Sequence, residues 1–258
     1  MPEGDTVYRA ARHLNDVLEG ATVTTWDIRV PAFATSDLTG ERIEGVISRG
    51  KHLLHRVGDY SLHSHLKMEG TWHLYRPGSA WKRPAFQARA LVGTAHWLSV
   101  GFELGVVELI ARSDEHTVVG HLGPDLLGDD WDTVEAIARL ESVPERPAAV
   151  ALLDQRNLAG LGNVYANELC FVRGILPTHP IGDTDVVALV ALSHRLILAN
   201  RDRVERTTTG DTRPGQQTWV YGRGGKPCRR CGTRIRSGFL GPTPVQQRET
   251  YWCPRCQT

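Results

Sequence analysis

The chain has 258 residues, room for one large domain or two to three small ones, and its 41% hydrophobic and 23% charged content is ordinary for a globular protein. No apolar run approaches the roughly 18 residues of a membrane-crossing helix, and the N-terminus lacks a basic-then-apolar leader, so the expectation is a cytoplasmic protein with no membrane partner. A net charge of +1 excludes a uniformly basic protein, yet residues 201–258 hold 12 of the 30 basic and only 4 of the 29 acidic side chains, which concentrates positive charge where a polyanion could be met.

Met1-Pro2-Glu3-Gly4-Asp5 leads into an amphipathic helix expected over residues 3–19. Val7, Ala10, Ala11, Leu14, Val17 and Leu18 recur at three- and four-residue steps, and Gly20 is a stop signal. If Met1 is removed, the chain begins with the secondary amine of Pro2 beside the Glu3 carboxylate. Such an amine can attack an electrophilic carbon and form an iminium, an electron sink for elimination. The positive end of the helix dipole disfavours its protonation. The plainer reading is a common Met-Pro start with Glu3 as a good first-turn residue.

Residues 21–127 read as short strands separated by Gly, Pro and Asp: Thr22–Val30, Arg42–Ser48, His52–Val57, Ser61–His65, Trp72–Tyr75, Ala88–Leu91, Trp97–Val100 and Gly105–Ala111. Many short strands with turn signals predict a β-sandwich or barrel, which with the helix makes a first domain over residues 1–127. Arg49-Gly50-Lys51 is a tight basic turn in it. His63, His65 and His73 lack a further ligand at a clear spacing and read as surface or packing residues more readily than as a metal site. Met68, in the loop Lys67-Met68-Glu69-Gly70, reads either as core filler or as a wedge for stacked bases.

His121-Leu122-Gly123-Pro124-Asp125 closes the β region, and a helical domain is expected over residues 131–210. Its helices are Trp131–Leu140, opened by Asp130 or Asp132, then Pro147–Gln155, Val164–Val172, and Asp183–Arg206 capped by Asp183. The turn Leu158-Ala159-Gly160-Leu161-Gly162-Asn163 exposes amides at a helix N-terminus, which suits an anion. Asn163 is either a phosphate ligand or its own helix cap. Cys170 reads as buried and inert, and Thr207–Gln217 as a mobile loop between domains.

The last domain, residues 218–258, carries Cys228-x2-Cys231 and Cys253-x2-Cys256. Two such knuckles in a cytosolic chain predict one structural, four-cysteine zinc (Zn2+) site. Thr233–Arg236 and Thr250–Trp252 are expected to pair as a hairpin with Arg248 near its turn. The fold class is therefore α+β and multidomain.

Pro2-Glu3, Arg49-Gly50-Lys51, His65-Leu66-x-Met68-x-Gly70, Leu122-Gly123-Pro124-Asp125, Asp154-Gln155-x-x-Leu158-Ala159-Gly160-Leu161-Gly162-Asn163 and the four-cysteine finger occur here in one order. That combination resembles the formamidopyrimidine-DNA glycosylase/endonuclease VIII family over essentially the whole chain. The opening Met-Pro-Glu-Gly and the finger's Arg248…Tyr251-Trp252-Cys253-Pro254-x-Cys256-Gln257 look like the endonuclease VIII branch.

The resemblance implies a bifunctional DNA glycosylase and apurinic/apyrimidinic lyase of base-excision repair. By match, Pro2 attacks C1′ of a damaged nucleotide and Glu3 handles protons during base loss and ring opening. Lys51 matches the β-turn lysine assigned to β-elimination, and Arg248 the finger arginine assigned to δ-elimination. Asn163 matches a phosphate-binding asparagine of a helix–two-turn–helix motif. Lys67 and Met68 match a loop that fills the void left by a flipped nucleotide, and His121 falls near another DNA contact. The implied partner is damaged double-stranded DNA, with single-stranded or bubble DNA as a further form, bound by a monomer. Asp5 stands where the family usually has Glu. Gly101-Phe102-Glu103-Leu104-Gly105 replaces a Pro-Arg-Arg-Phe-Gly turn, and Thr207–Gln217 is short for a cap over 8-oxoguanine. These departures favour oxidised pyrimidines. An 8-oxoguanine/formamidopyrimidine glycosylase and a non-catalytic zinc-finger binder of DNA structure are the alternatives.

Overall fold

A computed structural model describes residues 2–258; Met1, and with it the expectation of its removal, lies outside the described residues. The chain divides into two compact units, Met1–His121 and Leu122–Thr258.

The first unit opens with helix α1 (Gly4–Leu18) and continues through strands β1 (Thr25–Ile28), β2 (Ile43–Arg49), β3 (His52–Val57), β4 (Tyr60–His65), β5 (Thr71–Tyr75), β6 (Ala88–Gly93), β7 (Leu98–Phe102) and β8 (Val106–Ala111), then the short helix α2 (Glu115–Val119). The strands form two four-stranded sheets, ordered β1-β6-β7-β5 and β2-β3-β4-β8, with every pairing antiparallel. One core joins the sheets and the helix. Val7, Ala11, Leu14 and Leu18 of α1 meet Ile28, Ala90 and Val92 of one sheet and Ile43, Val46, Leu53, Val57 and Leu62 of the other. The three- and four-residue spacing in α1 thus becomes a single buried stripe, and the expected sandwich is present. Thr22 makes only an isolated bridge with Arg42, so the first strand is shorter than its β-branched run suggests. Gly101 and Phe102 belong to β7; Phe102 is buried against Tyr75, Leu91 and Val100 on that sheet's other face. Only Glu103–Gly105 is left as a turn, with Glu103 at φ 48°.

The second unit holds α3 (Thr133–Glu141), α4 (Ala148–Leu153), α5 (Asn163–Arg173) and α6 (Val186–Asn200), then β9 (Arg236–Leu240) and β10 (Arg248–Trp252). Leu140, Leu152, Leu158, Tyr165, Leu169, Leu189 and Ile197 lie in one helical core. Asp132 caps α3, accepting from Val134 N and Glu135 N. Asp185 caps α6 by accepting from Ala188 N, whereas Asp183 sits in a preceding 3-10 turn. α6 stops at Asn200, short of Arg206, because the Asn200 amide turns back to Leu196 O and clamps both Thr207 O and Thr207 N. The segment Thr207–Gln217, expected to be mobile, is closed at its neck by Thr208 N to Gln217 O at 2.8 Å.

His55 stands apart in the first unit's core. It is fully buried on β3, its ring 4.5 Å from Trp72, and neither ring nitrogen has a protein hydrogen-bond partner. Burial lowers its pKa from 6.5 to about 3. The unfolded chain therefore takes up this proton first, and His55 costs stability as pH falls below about 6.5, by up to about 1.4 kcal/mol per pH unit. His55→Leu removes two unpaired buried nitrogens. Thermal unfolding between neutral and mildly acidic pH should show a shallower fall in Tm for H55L than for the parent, with no loss of stability at neutral pH.

Candidate active site

Glu3 precedes α1 in extended conformation, and its backbone carbonyl accepts from Thr6 N and Val7 N at 3.0 and 3.1 Å. Its side chain makes no cap hydrogen bond, yet Glu3 is 0% exposed. A carboxylate this far out of water is stable only where polar partners meet it, so Glu3 is fixed in place at the head of α1. Asp5 is also buried, and its Oδ1 accepts from Thr6 N at 2.7 Å. Two carboxylates thus sit at the N-terminal, positive end of the α1 dipole. Pro2, half-buried, lies just outside the helix. Because the stripe of α1 is locked between the sheets, the position of Pro2 is set by the core.

Lys51 sits at the tip of the β2–β3 hairpin, where Arg49 pairs with His52. Gly50 takes φ 57°, the first central position of a two-residue turn that favours glycine. The loop after β4 is a closed turn in which Gly70 N donates to Leu66 O at 2.9 Å. Lys67 at its tip adopts the left-handed region, φ 54°, and donates its amide to His65 Nδ1 at 2.9 Å. Met68 is 60% exposed at that tip, so the core-filler reading is replaced by an apolar side chain held out in solvent. Lys51 and Lys67 both act on His65, which burial first and these cations next lower to about 4. His121 lies in the same neighbourhood, its ring 6.1 Å from His52.

In the second unit Gly162, not Asn163, is the N-cap of α5. Asn163 donates its Nδ2 to Glu249 O at 2.8 Å, and Asn167, one turn on, accepts from Tyr251 N at 2.6 Å. Two amides of α5 therefore dock β10 and bring Asn163 to the residue next to Arg248. Arg248 itself is exposed and starts β10 opposite Leu240. The β9–β10 hairpin runs further from the cysteines than the sequence suggests. Residues 233–235 instead fold back on the first knuckle, Cys228 N donating to Thr233 O and Ile235 N to Lys226 O.

The ligand atoms of Cys228, Cys231, Cys253 and Cys256 lie within 4.8 Å of one another. Cys231 and Cys253 sulfurs are 3.5 Å apart and those of Cys228 and Cys256 3.9 Å. Disulfide sulfurs sit at about 2.05 Å. Four sulfurs at about 2.3 Å from a tetrahedral ion would be roughly 3.8 Å apart. The cluster fits a metal ion.

The comparisons with known proteins bear on the whole chain. It is 51% identical over 259 residues to a DNA-(apurinic or apyrimidinic site) lyase Nei2 of Mycolicibacterium smegmatis, covering 100% of this chain and 99% of that one. This chain belongs to the formamidopyrimidine-DNA glycosylase/endonuclease VIII family, on its endonuclease VIII branch. The family's N-terminal domain model, the formamidopyrimidine-DNA glycosylase N-terminal domain, matches residues 1–100. An Endonuclease 8 of Escherichia coli is 30% identical over 270 residues, with 100% of both chains covered. Among solved structures, a Lactococcus lactis Fpg mutant with Fapy-dG-containing DNA matches at TM-score 0.79 and 25% identity over 100% of both chains. Another Lactococcus lactis Fpg, with DNA containing an abasic site, matches in fold at TM-score 0.80 and 23% identity over 99% of both chains.

Sequence reasoning missed Glu168. It is fully buried on α5 and accepts from Trp219 N, Val220 N and Tyr221 N at 2.7, 2.8 and 2.8 Å and from the Thr208 hydroxyl. Burial raises its pKa, and these four donors oppose the rise. Its one signal was a lone acid inside an apolar helix. Arg229, between the first two cysteines, is a second: it donates to Thr218 O at 3.0 Å and also to Gln216 Oε1 and Gly215 O. Together they pin the 207–217 segment.

The Leu66–Gly70 turn depends on glycine for space. A Cβ at Gly70 would lie 2.4 Å from Leu66 O and 2.8 Å from Leu66 Cα, both backbone. Gly70→Ala should open the turn at a cost of about 1–3 kcal/mol. Loss of hydrogen-exchange protection at the residue 70 amide, with β3 and β4 still protected, is the expected signature.

Proposed function

We propose that this chain is a bifunctional DNA glycosylase and apurinic/apyrimidinic lyase that removes oxidised pyrimidines from damaged DNA and then cuts the strand. The observation that carries the reading is the fully buried, non-capping Glu3 beside Pro2 at the head of a core-locked helix. The family membership and the names of the relatives support the same class of activity.

In this reading the Pro2 nitrogen, free once Met1 is gone, attacks C1′ as the glycosidic bond breaks, and the base leaves with a proton. Glu3 manages the protons of base loss and sugar-ring opening. The resulting iminium acidifies the C2′ proton; its loss expels the 3′ phosphate, with Lys51 acting in that β-elimination. A second elimination releases the 5′ phosphate, with Arg248 holding it, and water then frees Pro2. Asn163 and the amides at the α5 N-terminus hold backbone phosphate. Lys67 and Met68 occupy the gap left by the extruded nucleotide, offsetting part of an unstacking cost of a few kcal/mol. His121 contacts DNA beside them. In this division of labour residues 1–127 are the catalytic domain, 131–210 the helix–two-turn–helix domain and 218–258 the finger. The protein acts as a monomer on duplex, and also on single-stranded or bubble, DNA.

The four cysteines hold one structural zinc ion that takes no part in the reaction. Metal analysis should give about one zinc per chain. Cys253→Ser should lose the ion and unfold the packing of Phe171, Val220, Ile235 and Tyr251 around it, read as lost near-UV dichroism.

Borohydride trapping on a duplex with an abasic site tests the chemistry. The processed chain should give a reducible cross-link to DNA, and Pro2→Gly should weaken it by about 10²-fold or more, a binder lacking chemistry giving none. Glu3→Gln should slow excision of thymine glycol or 5-hydroxyuracil by about 10²–10⁴-fold, with less effect on trapping at a preformed abasic site. Faster excision of 8-oxoguanine than of either pyrimidine lesion would overturn the substrate preference alone.

A further inference from the structure

Near Lys51, the first unit holds a polar chain that the proposed chemistry leaves unused. His52, His63 and His65 on β3 and β4 gather with His121, the His52 ring lying 5.0, 5.1 and 6.1 Å from those of His63, His65 and His121. His63 Nδ1 is 2.9 Å from Glu108 Oε2 on β8, and His63 Nε2 is 2.8 Å from His52 Nδ1. The four ring systems do not converge as metal donors; among the described residues the cysteine cluster is the one group that does.

Chemistry fixes the polarity of the chain. A carboxylate only accepts, so His63 Nδ1 carries the hydrogen. His63 Nε2 then accepts, His52 Nδ1 carries the next hydrogen, and His52 Nε2 keeps a lone pair. The Glu108 side chain is 44% exposed while that of His63 is 4% exposed, so the carboxylate keeps much of its hydration while its charge backs a ring out of water. The charged or titratable groups acting on His52 are His65, His63, His121 and Lys67, and those acting on His65 are Lys67, Lys51 and His63. All are bases. Burial first, and these neighbours next, lower His52 to about 3, so the ring is neutral at physiological pH. An anion seated among Lys51, His65 and Lys67 would reverse the sign of that field, and the carboxylate end of the chain would then share the charge of an added proton.

We propose that seating a DNA backbone phosphate at this cluster is coupled to proton uptake by the Glu108–His63–His52 chain, which acts as a set of positioning residues for the Lys51 hairpin. The inference rests on the DNA-binding reading above. The proton comes from solvent and adds to His52 Nε2, turning a lone pair into a donor for a phosphate oxygen; no covalent bond is made or broken elsewhere. His52 immediately follows Lys51 at the base of the hairpin, so the gained hydrogen bond also fixes the lysine's approach.

The test is binding of a duplex carrying a tetrahydrofuran abasic analogue, which cannot form a Schiff base, at fixed salt between about pH 7 and pH 5. Wild type should bind more tightly as pH falls, with a slope below the roughly tenfold per pH unit of one whole proton, because the His52 ring starts from about 3. Titration calorimetry in two buffers of different ionisation enthalpy should measure that fractional uptake. Glu108→Gln and His63→Gln should both flatten the slope and lower the count, and the exposure of Glu108 makes E108Q the variant expected to fold normally. A purely structural role would shift affinity by one factor at every pH. Binding whose slope and proton count are unchanged in folded E108Q overturns the inference alone; no binding by wild type at any pH overturns the DNA reading and the inference with it.

Discussion

The first unit depends on the burial of one helical stripe. Val7, Ala11, Leu14 and Leu18 lie in the core that joins two antiparallel sheets, so the sandwich cannot close without α1, and α1 cannot shift without opening the sandwich. This converts ordinary apolar packing into positional precision for the residues at the head of the helix. A terminus is usually the least ordered part of a chain; here Glu3 is buried and its carbonyl takes part in the first helical turn. The hairpin of Lys51 and the turn of Lys67 and Met68 project from strands whose buried side chains share that core, Leu53 on β3 and Leu62 on β4 among them, so one core positions both.

In the second unit, side chains of α5 seat the C-terminal finger. Asn163 and Asn167 grip the backbone of β10, and Glu168, on the same helix, collects three consecutive amides of residues 219–221. A buried carboxylate is tolerable because each of its oxygens is met by donors. The finger is therefore held by polar contacts with defined geometry as well as by the apolar packing of Phe171 with Val220, Ile235 and Tyr251. Small modules with little core of their own need such additional ties.

What was legible in the sequence was whatever has a period or a fixed spacing. The three- and four-residue steps of α1, the short runs between turn residues that become β2–β4, and the two Cys-x2-Cys pairs each state a local geometry, and each is found. Partnerships across distance were not legible. Nothing near Glu168 announces that its donors lie 40 to 53 residues later, and nothing near His63 points to Glu108 on another strand. The sequence points to Asp183 as the cap of α6, yet the 3-10 turn at Ile181–Asp183 takes that residue and leaves the role to Asp185. The first strand of the finger's hairpin starts later than the sequence suggests because the first knuckle uses residues 233–235 to complete its own turn, an allocation decided by backbone hydrogen bonds. Composition alone predicts a mobile loop over 207–217, whereas Asn200, Glu168 and Arg229 tie it from three directions.

Arg229 adds a constraint on how this chain can vary. It occupies the first of the two positions between Cys228 and Cys231, and from there its guanidinium reaches back to Gly215, Gln216 and Thr218. The length of that short interval answers to two masters: sulfur geometry at its ends, and the reach of an arginine in its middle. Lengthening the interval by one residue could still leave four thiolates able to meet, but the arginine would be rotated off its carbonyls. The spacing that looks like metal grammar is in part the fastening of a neighbouring loop.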